Sequence, residues 1–178
     1  MSAERKAIRN AMKDLLLAGN TAAADRVFAS RGHPLQKDEL PAILVYTLQE
    51  GSEVFEASPK RYRRTVQVAV DCIASLSEHV DDALDDLAEQ IETLVAADDT
   101  LGGTASDCEL TQTEMSIAQV AEDTVMSCRL TFSVQYLKDA PGDLSDTLDD
   151  FKKVDLKVDV APADGQLETR NTIELPQN

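Results

Sequence analysis

The side chains here whose types and spacing could do chemistry are few. They are His33 and His79, the cysteines 72, 108 and 128, the Asp-Asp pairs at 81–82, 85–86 and 149–150, Gly102–Gly103, and the basic run SPKRYRR at 58–64. Nucleophilic catalysis needs a serine or cysteine within reach of a general base that a third group orients. His33 sits beside a proline in the breaker RGHP, and His79 stands at the head of an acidic helical segment. Neither context frames a triad, and a surface or capping role suits each. Zinc asks for three or four His or Cys ligands at short spacings, whereas Cys72, Cys108 and Cys128 lie at long, unrelated intervals. The Asp-Asp pairs lack the alternating ligand loop with a central glycine that a calcium-binding hand uses, so a solvated helix face is the expectation for them. Gly102–Gly103 is followed by no Gly-Lys-Ser or Gly-Lys-Thr, and no strand-to-helix turn frames it as a phosphate loop. No catalytic residue, no metal site and no cofactor is therefore expected.

The basic run poses a different question. Lys60, Arg61, Arg63 and Arg64 are drawn from only 17 Lys and Arg in a chain of net charge −16, and they gather with Tyr62 at the mouth of one strand. Arg63 and Arg64 could meet phosphates with Tyr62 stacking, although one seven-residue patch is a weak signal. The charge is also unevenly spread. Residues 1–64 hold 11 Lys and Arg against 8 Asp and Glu, a net of +3, and the remaining residues hold 6 against 25, a net of −19. Tight nucleic-acid binding by charge needs dense Lys and Arg. This composition suits a chain that repels DNA, presents an acidic face to a basic partner, or simply stays solvated.

The elements that must position these residues follow from periodicity. At 178 residues and 43% hydrophobic, the chain can form one domain with a real core. Apolar runs such as AILVY at 42–46 are too short to span a bilayer, so no membrane role is expected. The opening MSAERKAIRNAMKDLL lacks the apolar core and cleavage site of a signal peptide, which gives the expectation of a cytoplasmic chain. The odd, widely spaced cysteine set argues against a disulfide framework, and Cys72 and Cys128, on strand patterns, are expected as buried, reduced thiols. Ile8, Met12, Leu15 and Leu16 form a helical stripe between an N-cap at Ser2 and a stop at Gly19–Asn20. AILVYTLQE after Pro41 reads as a buried strand. From Thr65 the sequence alternates, with Val66, Val68, Val70 and Cys72 to one side. The connection EGSEVFEASPKRYRR reads as an exposed excursion that ends in the basic cluster. If the alternation extended back, Tyr62 and Arg64 would face inward and Arg61 and Arg63 outward, but the loop boundary is expected to interrupt it.

A second helix follows at 80–95, capped by Ser77, with Val80, Leu84, Leu87, Ile91 and Leu94 on one face. Asp81, Asp82, Asp85, Asp86, Glu89 and Glu92 cover the remainder, most of the aspartates near the positive end of the dipole. Strands at 108–117 and 127–136 form an antiparallel hairpin through AEDT at 121–124. The fold class is therefore α+β, a single domain with an antiparallel or mixed sheet packed by two main helices. It spans residues 1–137. Residues 138–178 form an acidic linker and a C-terminal β-hairpin-like arm, with VDLKVDV at 154–160, a turn at PADG, and NTIELPQN. Val154, Leu156, Val158, Val160, Ile173 and Leu175 are its candidate contact residues, either for addition to a neighbouring subunit's sheet or for folding back on their own domain.

The order RKAIRNAMKDLLLA, LPAILVYTLQE, SPKRYRRTVQVAV, VDDALDDLAEQIETLV, RLTFSVQY and the tail VDLKVDVAPADGQLETRNTIELPQ resembles the tail terminator, or tail completion, proteins of long-tailed bacteriophages. The resemblance lies in order and spacing rather than in signature residues. It implies a structural virion protein and no enzyme: a ring homo-oligomer, a hexamer, that assembles from the host cytoplasm onto the tail tube protein at the tail neck. The ring would stop tube polymerisation and dock the head–tail connector protein, while DNA passes through its lumen without specific binding. On this implication Lys60, Arg61, Tyr62, Arg63 and Arg64 become a subunit or partner interface, pairing with carboxylates of the next subunit. Asp81, Asp82, Asp85, Asp86 and Glu89 become an acidic surface or lumen. Two other readings stay open: a head-closure or connector protein of the virion neck, and an acidic DNA mimic that occupies the basic groove of a DNA-binding protein.

Overall fold

In the computed structural model, which describes residues 3–33, 35–120, 123–141, 153–158 and 169–174, two amphipathic helices lie on a mixed five-stranded sheet. Helix α1 (Ala3–Ala18) is followed by the short strand β1 (Val27–Ala29), then β2 (Ala42–Ala57), β3 (Lys60–Ser75), helix α2 (Val80–Ala97), β4 (Asp107–Val120) and β5 (Asp123–Asp139). The sheet order is β1-β2-β3-β5-β4. All pairs are antiparallel except β1 with β2, which is parallel. This is the expected α+β class. The chain divides into two compact units, residues 1–140 and 141–178. In the second, β6 (Lys153–Val158) and β7 (Thr169–Glu174) pair antiparallel, the expected arm hairpin. Val160 and Leu175 lie outside the described residues, as does Ser2.

The core of the first unit forms where the helical stripes meet the alternating strands. Ile8, Met12 and Leu16 of α1 and Leu84, Leu87 and Ile91 of α2 pack on Val66, Val68, Val70 and Cys72 of β3 and on Cys128, Leu130, Phe132 and Val134 of β5. Burying a side chain of this size stabilises by about 1.5–3 kcal/mol. A smaller cluster of Leu35, Ala42, Leu44, Ile73 and Val125 covers the opposite side of the sheet at one end. Leu94 is only half-buried, while Val95 takes the fully buried place at the end of the α2 stripe.

Two expectations need correction. First, the stretch between the two early strands is not a loop. β2 and β3 pair from Ala42↔Ile73 to Ala57↔Lys60, with only Ser58 and Pro59 between them. A register shift between Thr47 and Glu50 moves the inward set from Ile43, Val45 and Thr47 to Glu50 and Ser52. That change of phase hides the second half of the strand from a search for alternation. Second, Ser77 does not cap α2. His79 takes the N-cap position with φ 66°, without a side-chain capping hydrogen bond, and the Ser77 carbonyl accepts the Val80 N–H at 3.4 Å. The three-residue strand Val27–Ala29 is too short for its alternation to be read from the sequence.

Candidate functional site

The basic cluster lies wholly within β3, at the end of the β2–β3 hairpin, and β5 continues alongside it as far as Arg61↔Asp139. The strand is unbroken, so the alternation does carry back from Val66. Tyr62 and Arg64 share the helix-side parity, while Arg61 and Arg63 take the other. The structure gives each of the three arginines a carboxylate of the same chain. Arg61 donates to Asp139 at 3.1 Å and to Glu56 at 3.4 Å. Arg63 donates to Glu53 at 3.1 Å, and its guanidinium lies 4.7 Å from the centre of the Phe55 ring. Lys60 and Arg64 stand 5.4 and 5.6 Å from the Tyr62 ring centre.

On the helix side the cluster continues into a polar network that the sequence did not reveal. The Glu50 carboxylate meets Arg64 at 3.5 Å and Arg5 of α1 at 3.8 Å, and accepts the Tyr136 hydroxyl at 2.5 Å. Lys138 donates to Glu4 at 2.8 Å. Two ion pairs thus fasten the first turn of α1 to the hairpin and β5. Among the described residues the buried Nε atoms of Arg5 and Arg64 find no hydrogen-bond partner. Glu50 would have been found from sequence only by knowing the register shift that turns it inward.

Beside Arg63 on the other face, Phe55 and Leu137 are substantially exposed, and Val54 is exposed on the helix-side parity beyond the helices. Exposed aromatics and arginines together are the composition of contact surfaces. Asp81, Asp82, Asp85, Asp86 and Glu89 are all exposed along α2, and among the described residues only Asp82 of these meets a nearby base, His79 at 3.5 Å. Among the described residues no ion pair joins the acidic helix face to the basic hairpin; the hairpin arginines pair with Glu50, Glu53, Glu56 and Asp139.

The thiols face the core. Burial pushes Cys108 up to about 12, helped by Asp107 and Asp99, and raises Cys72 and Cys128 as well. Cys72 and Cys128 are register partners across β3 and β5, in an apolar setting where a thiolate is disfavoured. Among the described residues no group of three or more His, Cys, Asp or Glu is placed to hold a metal ion.

The fold and its surface define a class of protein whose features are a charged hairpin, an acidic helix face and exposed strand edges. Family membership makes that class specific: the model of the phage minor tail protein U family matches residues 3–136, and the chain belongs to this family. It is a structural component of the phage tail, and hence of the virion. No curated protein matches the chain. The match ends at Tyr136, so β6 and β7 lie beyond it.

Proposed function

We propose that the protein is a tail terminator, a ring of copies, six in the resemblance that its sequence order carries, seated on the last ring of the tail tube protein. The ring stops tube polymerisation and offers its other face to the head–tail connector protein, at the tail neck. The observation that carries this reading is the family match across nearly the whole first unit. The surface supports it. Exposed ion pairs are worth about 0–1 kcal/mol each, so Arg61 and Arg63 can exchange their own carboxylates for those of a neighbour at little cost, with Phe55, Val54 and Leu137 supplying the apolar area. Six copies of a −16 chain carry a charge on the order of −100, and a lumen lined by part of it repels passing DNA.

Deleting the gene from its parent genome and imaging the lysate by negative-stain electron microscopy tests the reading. DNA-filled heads beside unattached, overlong or ragged tails are expected. Tailless heads that have lost their DNA would assign the protein to head closure instead, and normal particles would remove it from assembly altogether.

A further inference from the structure

We propose that the open edge of β4 accepts strand β6 of a second copy of the chain, so that neighbouring subunits share a sheet. This rests on the reading of the protein as a self-associating tail component. Among the described residues β4 is the last strand in the sheet order, hydrogen-bonded to β5 alone, and residues 111–117 are exposed throughout. Natural edge strands are blunted by lysine, proline, bulges or shortness. Asp107–Val120 has 14 residues and contains no lysine, arginine or proline. Its register shift, between Leu110 and Gln112, leaves Gln112–Val120 in continuous register with β5. A row of free N–H and C=O groups of that length is a template for an extended segment.

The two faces of the edge define which segment. Thr113, Met115 and Ile117 oppose Leu130, Cys128 and Met126, on the helix side of the sheet, yet Met115 is 39% and Ile117 is 68% exposed. Gln112, Glu114 and Ser116 take the other face, opposite Thr131, Arg129 and Ser127. Arg129 is already held by Asp71, to which it donates at 2.6 and 2.8 Å. The edge therefore fits a strand that alternates apolar with basic residues. The sequence of β6 comes near this: Val154, Leu156 and Val158 alternate with Lys153, Asp155 and Lys157, two lysines around one aspartate. Its 6 residues match the exposed stretch in length, and among the described residues β6 is paired to β7 alone. The other long free edge, β2 beyond its pairing with β1, is a poorer occupant. On the face away from the helices it carries Glu53 and Glu56, which would stand against Asp107, Glu109 and Glu114 on the same face of β4, and like charges across a ladder destabilise it.

The test uses an equal mixture of unlabelled and ¹⁵N-labelled full-length protein, added to tails that lack it and treated with a zero-length carbodiimide. The expected result is peptide pairs of mixed isotope joining Glu109 or Glu114 to Lys153 or Lys157. Glu114→Lys should lose the Glu114 pairs, and adding Lys153→Glu and Lys157→Glu should bring links at that position back, joined the other way round. Pairs of a single isotope only would place the arm on its own chain and overturn the proposal, as would the absence of any link from β4 to these lysines. Images of the same tails separate the two readings. Capped tails without mixed pairs sink the strand exchange and leave the tail role standing, whereas mixed pairs on uncapped tails do the reverse.

Discussion

Asp98, at the C-cap of α2, shows how a single carboxylate organises a turn. It accepts the Thr100 hydroxyl at 2.7 Å and the Gly102 N–H at 2.7 Å, while Thr100 Oγ1 accepts the Gly103 N–H at 3.2 Å. Gly102 and Gly103 have φ of 67° and 79°, a region glycine enters without steric cost. A Gly-Gly pair stands out in any sequence; the aspartate that it folds around does not, because Asp98 and Asp99 look alike. These hydrogen bonds, the Thr100 hydroxyl first and the Gly102 N–H second, hold the Asp98 pKa below its ordinary value. A carboxyl lowered in the folded state contributes stability that is fully present above its unfolded pKa and is lost as pH falls through the folded one. Asp98→Asn should therefore unfold more easily than the parent near neutral pH, and the difference should shrink between about pH 5 and pH 2. Denaturant melts across that range measure it, and a difference that stays constant with pH would assign the loss to something other than the charged carboxylate.

At the scale of elements, what was legible is what keeps one period. The stripes of α1 and α2 and the alternation of Val66–Cys72 and Cys128–Tyr136 mark their elements because no irregularity interrupts them. β2 and β4 were half-legible, since each changes phase, between Thr47 and Glu50 and between Leu110 and Gln112. An inward set that switches from one parity to the other reads as loose alternation or as loop. The basic residues of the site were visible for the same reason that their partners were not: composition marks Arg61 and Arg63, but only the register sets Glu56, Asp139 and Glu53 beside them. Their side chains are 35% and 41% exposed, so the pairs lend the monomer little. Arg61→Glu combined with Arg63→Glu removes these pairs and sets like charges across the hairpin, at a cost of about 1–2 kcal/mol, which the core below can absorb. Circular dichroism and a thermal melt should show a folded monomer, while electron microscopy of complemented lysates should show tails without heads. Normal tail joining by this variant would exclude the hairpin from the contact.

At the scale of the whole molecule, two electrostatic effects oppose each other. Copies of a chain with net charge −16 repel at long range, and bringing several into one ring compounds that repulsion. Locally, the contacts proposed here set Lys153 and Lys157 near Glu114, and the hairpin arginines near a neighbour's carboxylates, which attracts. The magnitudes decide between them. Exposed pairs contribute about 0–1 kcal/mol each and are themselves weakened by salt, whereas the repulsion sums over every pair of acidic surfaces within a Debye length. That length is about 10 Å at 0.1 M salt and about 3 Å at 1 M. Repulsion should therefore prevail at low ionic strength and fade first, leaving the shared strand edge and the apolar contacts, which salt does not screen, to hold the copies together. Raising salt from about 0.05 M to 0.5 M should then increase the assembled fraction of the full-length protein, read by sedimentation velocity or by the share of tails that carry it. An assembled fraction that falls over the same range would mean that local ion pairs outweigh the net charge, and would make Glu109, Glu114 and the hairpin arginines, rather than the backbone edge, the main source of cohesion.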